Sequence, residues 1–185
     1  MVNKKIVIGL VGQISSGKGI AADYLKNKYH AKILRFSNIL RKILAEIGLE
    51  VSRKNQQNLS TSLRTNFGED ILSRHIADNI IKSKKNIIAV DGIRRMADIK
   101  HLKKFKNFYL VKIIAPSKIR YKRLITRNEN KGDRKKTYSE FLADQKREAD
   151  AEIPAVMKTA DYEIVNNKGS AELFKQIDIL IKKLK

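Results

Sequence analysis

Residues 5–11 read KIVIGLV, and directly after them Gly12, four further residues, Gly17 and Lys18 form the pattern G-x-x-x-x-G-K. An apolar, β-branched run without polar alternation predicts a strand buried on both faces. The stretch GIAADYLKNKY that follows predicts a helix. A glycine-rich loop between such a strand and a helix start has a specific physical use. Glycines let successive backbone N–H groups turn inward towards an anion, and the helix N-terminus adds its partial positive charge. Lys18 then reaches the outer phosphates of a nucleotide. Gly12, Ser15, Ser16, Gly17, Lys18, Gly19 and Ile20 are therefore the expected cradle of a triphosphate, with ATP and Mg2+ as expected cofactors. A dinucleotide fingerprint, G-x-G-x-x-G, is absent. The serine or threonine that commonly follows the lysine and touches magnesium is replaced by Gly19 and then Ile20, and Ser15 or Ser16 are the candidates to compensate.

Four more apolar runs bounded by turn residues recur: AKILRF (31–36), NIIAVD (86–91), FYLVKIIA (108–115) and DYEIVN (161–166). Helical periodicity fills the intervals at about 17–28, 38–48, 69–83, 96–105, 117–128 and 170–184. Strands alternating with helices predict an α/β fold, a parallel five-stranded sheet flanked by helices. Two intervals exceed what a crossover needs. Residues 37–85 have room for two or three helices, and 128–150 are highly charged with a Gly-Asp break at 132–133. Insertions of that kind in a compact domain are usually lobes or lids. The expected organisation is one domain with a core of 1–36, 86–127 and 151–185, an acceptor-binding insert at 37–85 and a short lid at 128–150.

The chain has 185 residues, enough for a single full core, and no cysteine, which excludes disulfides and thiolate metal sites. Its first apolar run is too short for a signal sequence, and no stretch approaches the roughly 20 apolar residues of a membrane span. A soluble, cytoplasmic protein without membrane partners is expected, with monomer and homodimer both open. The three histidines, His30, His75 and His101, have no metal-ligand spacing and read as structural or solvent-facing. Forty Lys+Arg against 19 Asp+Glu give +21, enough to attract any polyanion. That charge is explained either by a Lys-, Ile- and Asn-rich composition or by basic faces that serve phosphorylated ligands or nucleic acid.

The GKG form of the loop resembles the adenylate kinase branch of P-loop (Walker A) kinases, although that branch usually carries Thr where this chain has Ile20. Further motifs are similar to those of nucleoside monophosphate kinases. Residues 36–41, FSNILR, match the family's TGDMLR, which makes Arg41 a holder of the acceptor phosphate, with Asn38 in place of an Asp. Residues 91–95, DGIRR, match DGFPR. That implies that Asp91 orients the magnesium waters and that Arg95, with Arg94 as substitute, grips the acceptor. The arginines four apart in RYKRLITR, Arg123 and Arg127, then face the donor, with Arg120 nearby. The resemblance casts 128–150 as the lid, with Arg134 and Arg147. The stretch ADYEIVNNKGS resembles dephospho-CoA kinases, where Asn166, Asn167 and Gly169 would line the donor adenine. Their Asp-Ala-Asp near the second strand is missing here. The full layout looks closest to nucleotide kinase-like proteins of archaea and some bacteria.

The implied activity is ATP-dependent transfer of the γ-phosphoryl group to a small nucleotide-like acceptor, probed first as a nucleoside or deoxynucleoside monophosphate. Transfer asks for positioning and positive charge around the phosphoryl oxygens, and Lys18, magnesium, Arg123 and Arg127 supply it. Dephospho-CoA, accepting on a ribose hydroxyl, is the alternative. No carboxylate directly follows the second strand to act as its base. A nucleic-acid-associated ATPase and a loop that binds nucleotide without turnover are the remaining alternatives.

Overall fold

The computed structural model describes residues 5–127, 132–145 and 151–185. Strand β1 (Ile6–Val11) is buried along its whole length, as its unbroken apolar run requires. It lies in the middle of a five-stranded, all-parallel sheet of order β2-β3-β1-β4-β5, with β2 (Lys32–Arg35), β3 (Ile87–Ile93), β4 (Phe108–Ile114) and β5 (Tyr162–Val165). From β1 the chain crosses to the edge strand β2, returns to β3 beside β1, and then passes over to β4 and β5 on the other side. The crevice beyond the carboxyl end of β1 is thus the topological switch point, where ligands bind in open α/β sheets.

Alternate β1 residues face opposite layers. Ile6, Ile8 and Leu10 join a core with α1 (Lys18–Tyr29) and the last helix, Ser170–Leu184. Val7 and Val11 pack with α2 (Phe36–Glu46), α4 (Ile71–Lys82) and the short helix Ile153–Lys158. In both layers each buried aliphatic side chain contributes about 1.5–3 kcal/mol. Gly9 admits a close approach: a Cβ there would lie 2.8 Å from Ile93 Cδ1 and 2.9 Å from the Phe108 ring.

The insert holds three helices: α2, α3 (Arg53–Phe67) and α4. α2 starts at Phe36, directly after the last residue of β2, rather than at 38. Ser52 caps α3 by accepting from Asn55 N at 3.2 Å. The helix expected over 96–105 is split into α5 (Met96–Ile99) and a 3-10 turn at Leu102–Lys104. Beyond β4 come α6 (Ser117–Arg127), α7 (Tyr138–Asp144), α8 (Ile153–Lys158) and α9 (Ser170–Leu184). Thr137 and Glu140 form a reciprocal capping box at the start of α7. Tyr121, Tyr138 and Phe141 pack their rings together, and Tyr138 Oη meets Ser117 Oγ at 2.6 Å, so α7 docks on α6.

His30 ends α1 in the left-handed region, φ 55°. His75 contacts Asn79 on its own helix, and His101 meets Asp70 at 2.8 Å. Among the described residues, no helix is long and apolar enough to cross a membrane.

Candidate active site

The loop at 12–17 leaves β1 through a tight passage. A Cβ on Gly12 would overlap the Ile113 carbonyl oxygen of β4, and one on Gly17 would overlap Asn166 Nδ2. Gly17 also adopts φ 108°, where a side chain is strained. Ser15 accepts the left-handed region at φ 58°, a conformation that costs about 1–3 kcal/mol in a residue with a side chain. Lys18 folds over this ring, donating from Nζ to the Gly12 carbonyl at 2.6 Å and to that of Gln13 at 3.2 Å. Ser15 and Ser16 are buried, yet neither hydroxyl has a hydrogen-bond partner among the described residues. Unpaired buried polar groups are destabilising and point to a missing partner.

A third orphan belongs to the same place. Arg123 Nη1 is buried without a partner, while Nη2 donates to Asn166 Oδ1 at 3.2 Å. Asn166, only 2% exposed, turns its Nδ2 to the Ser16 carbonyl at 2.8 Å and its backbone N–H to Ile114 O. One asparagine therefore ties Arg123, the end of β4 and the loop together. Burial pushes the Arg123 guanidinium below its ordinary pKa; a cation stripped of water is a strong site for an anion. Arg120 is a structural neighbour: its Nε and Nη1 donate to the carbonyls of Ala115 (3.0 Å) and Ile14 (3.3 Å), and it stacks over Phe141. Arg127 lies one turn beyond Arg123 and is exposed.

Across the loop, the register aligns the Cα atoms of Leu10, Asp91 and Arg35. Beyond Leu10 a bulge sets Val11 opposite Ile93 and leaves Gly92, φ 90°, as the extra residue that turns Arg94 and Arg95 out of the strand. Asp91 Oδ1 accepts from Gly92 N at 2.8 Å, and Oδ2 accepts from Arg35 Nε at 3.3 Å. The residues here do not fit a directly coordinated magnesium ion. Gly19 has no hydroxyl, Ile20 is exposed hydrocarbon, and both oxygens of Asp91 already serve other donors. Among the described residues, no group of three or more His, Cys, Asp or Glu side chains is placed to hold a metal.

The residues that the sequence expects on an acceptor side lie on the opposite flank. Arg41 is exposed on α2 and donates to Gln56 of α3 at 3.4 Å. Arg94 is exposed, and Arg95 pairs with Glu69 at 3.3 Å. Their two backbone N–H groups are held by Asp98 Oδ2, at 2.9 and 3.0 Å. Glu152, just before α8, accepts from Met96 N at 3.3 Å, which brings a carboxylate beside this loop. Asn167 is exposed, and Gly169, φ 99°, precedes α9. Arg147 lies outside the described residues. The sequence singles out neither Asp98 nor Arg35, and it places Asn166 only beside a donor adenine. For Asn166 a signal existed: it stands two residues after Ile164, on the same inward face, and a buried asparagine there needs partners.

No family profile matches the chain. A UPF0200 protein of Saccharolobus islandicus is 30% identical over 175 residues, covering 92% of this chain and 88% of the relative. The chain belongs to the UPF0200 family. A UPF0200 protein of Methanocaldococcus jannaschii is similar over 183 residues at 26% identity, covering 97% and 90% of the two chains. Among solved structures, TT1252 from Thermus thermophilus superposes on this UPF0200 chain with a TM-score of 0.66 at 18% identity, covering 98% of each. Shikimate kinase from Bacteroides thetaiotaomicron follows with 0.61 at 13% identity, covering 96% of this chain and 98% of the other. Shikimate kinase from Acinetobacter baumannii gives 0.59 at 18% identity, covering 99% and 96%. The likeness is one of fold: this UPF0200 protein has the α/β architecture of P-loop kinases.

Proposed function

We propose that this protein is an ATP-dependent phosphotransferase that passes the γ-phosphoryl group to a nucleotide-like acceptor, first of all a nucleoside or deoxynucleoside monophosphate. The observation that carries this reading is the set of orphaned buried groups, Ser15 Oγ, Ser16 Oγ and Arg123 Nη1, around one phosphate loop. Polar atoms left without partners in a dry site are matched by the oxygens of a triphosphate. Lys18 swings from the Gly12 carbonyl to the outer phosphates, Arg123 neutralises charge that develops in flight, and Arg127 adds to it. No protein-held metal is needed for any of these roles.

The three-helix insert, 37–85, covers the acceptor. Arg41, Arg94 and Arg95 give it the forked donors that match a phosphate group. The described part of the 128–150 segment, α7 on α6, forms the base of a lid that excludes water. A second reading, a ribose hydroxyl acceptor as in dephospho-CoA, is favoured by Glu152, whose carboxylate stands beside the Arg94–Met96 loop as a candidate base. The purified protein is incubated with ATP, magnesium and panels of both acceptor classes. ADP above the no-acceptor background with monophosphates supports the first reading, and with dephospho-CoA the second. No such ADP with either panel overturns the kinase reading.

A further inference from the structure

The amino end of the sheet, opposite the phosphate loop, carries a one-sided charge. Two loops enter the strands that flank β1: 83–86 leads into β3 and 105–107 into β4. Backbone bonds knit both to β1, with Ile6 N donating to the Asn86 carbonyl at 2.7 Å and Val7 N to that of Asn107 at 3.0 Å. Asn107 Nδ2 donates to the Lys5 carbonyl at 3.2 Å. The 3-10 turn Leu102–Lys104 contacts both α4 and β4 and closes the face. Lys84, Lys85, Lys103, Lys104 and Lys106 stand on it, and all are exposed.

A lysine-rich composition does not account for this pattern. Neither 79–90 nor 99–128 contains an Asp or Glu. Lysines elsewhere on the body meet carboxylates: Lys28 with Asp178 at 2.7 Å, Lys100 with Asp70 at 2.9 Å and Lys112 with Glu163 at 2.9 Å. Among the described residues, none of the five makes such a pair. The negative end of the α4 dipole does not offset them either, because Lys5 Nζ already donates to the Ile80 and Ile81 carbonyls at 3.1 and 2.9 Å. Like charges held together on ordered backbone repel one another, and a polyanion relieves that repulsion. β1 is six residues long, so this face stands about 20 Å from the phosphate loop. That exceeds the Debye length of about 8 Å at physiological salt, so a triphosphate in the loop makes no use of these lysines.

We propose that this face binds the sugar-phosphate backbone of a nucleic-acid duplex without reading its bases. A lysine ammonium neutralises a phosphate as a point charge and lacks the planar fork with which arginine imposes geometry. Single-strand binders stack bases on exposed rings, but Phe105, the one aromatic in these loops, packs against the core. Stable attachment to a membrane takes an apolar or lipid anchor besides charge, and the two loops expose no large apolar side chain. The binding adds to the proposed kinase activity and does not depend on it.

Fluorescence anisotropy with the full chain and a labelled duplex of about 20 base pairs, as DNA and as RNA, tests this over about 50–300 mM NaCl. Log affinity against log salt should fall with a slope of about −4. Replacing Lys84, Lys85, Lys103 and Lys104 together by Gln should make the slope shallower by about 3 and weaken binding at about 100 mM salt by about tenfold or more. A charge-matched control, Lys118, Lys122, Lys168 and Lys175 to Gln, takes exposed lysines from α6, α9 and the loop before α9, and should stay within about threefold of the wild type. No wild-type binding at about 100 mM salt, or a slope no steeper than about −1, overturns the proposal. An equal loss in the two variants overturns it too, since binding then follows net charge rather than this face. So do vesicles with about 30% phosphatidylserine that bind more tightly than the duplex and depend on the same four lysines, which would make the face a membrane site. Circular dichroism checks folding, and should the fourfold variant not fold, the wild-type slope and the control variant still decide. ATP affinity should be equal in the wild type and the fourfold variant, so failure of the nucleotide reading is a separate result.

Discussion

Arg64 Nη2 and Asp98 Oδ1 meet at 2.6 Å, with only 6% and 2% of the two side chains exposed. Arg64 is the one buried residue of α3, and its Nη1 also donates to the Glu69 carbonyl. The other oxygen of Asp98 holds the N–H groups of Arg94 and Arg95. A single buried carboxylate therefore fastens the helical insert to the loop that follows β3. Asp98→Asn leaves Arg64 buried beside a neutral partner, which should lower stability by about 3–5 kcal/mol. Urea unfolding measures it. In the fraction that folds, ATP affinity should stay within about twofold while the acceptor KM rises if, as proposed, the Arg94–Arg95 loop that Asp98 holds receives the acceptor.

Asn166 ties Arg123 to the loop at 12–17 in the same manner. Asn166→Ala removes the bond to Ser16 O and the one that steadies Arg123, leaving buried groups unpaired at about 1–3 kcal/mol. The expected outcomes are a lower melting temperature and ATP binding weakened by about tenfold. A variant with normal stability and unchanged ATP affinity would show that the asparagine neither braces the loop nor orients the arginine.

The five strands and the phosphate loop were legible because each is a local pattern: an unbroken apolar run, or glycines at fixed spacing before a helix. The edges of the insert were legible by elimination, but α3 was not. Its sequence, RKNQQNLSTSLRTNF, buries no apolar side chain fully, only Arg64, so no hydrophobic stripe marks its inner face. The partners that organise the site escape for a different reason. Arg64 and Asp98 are 34 residues apart, Arg35 and Asp91 are 56 apart, and Arg123 and Asn166 are 43 apart. Their meeting depends on which strands become neighbours, and charge alone does not say which of 40 basic residues answers which acid. The resemblance implied that Asn166 lines an adenine together with Asn167 and Gly169. In the structure Asn166 points inward to the loop, and Asn167 is exposed.

The packing of α1 on α9 carries a pH signature. Asp178 Oδ2 accepts from Lys28 at 2.7 Å, and Oδ1 accepts from Tyr29 at 2.6 Å and Tyr24 at 2.8 Å. The Lys28 hydrogen bond first, then that of Tyr29, draws the Asp178 carboxyl from its ordinary 3.8 down to about 2. A carboxyl with a depressed folded-state pKa stabilises the fold above its unfolded value. That contribution is complete above about pH 4 and fades as pH falls towards 2. Asp70, likewise depressed by Lys100 and His101, adds to the same acid loss. Asp178→Asn should therefore show a shallower fall in melting temperature between pH 4 and 2 than the wild type. Equal slopes for the two proteins would mean that this pair does not couple to folding.

Lys18→Ala separates a working kinase from a loop that only holds phosphate. The ammonium now rests on the Gly12 and Gln13 carbonyls, and the residue is partly exposed, so its removal leaves the sheet and both core layers untouched. If the lysine follows the phosphoryl group into the transition state, its loss removes charge stabilisation from the developing phosphoryl charge. Acceptor-dependent ADP formation should then fall by about 10² or more, the effect of deleting one preorganised electrostatic donor. Circular dichroism and the melting temperature should stay as in the wild type. A variant that folds normally and forms ADP at the wild-type rate assigns turnover to some other cation or to none, and leaves the loop as a nucleotide holder.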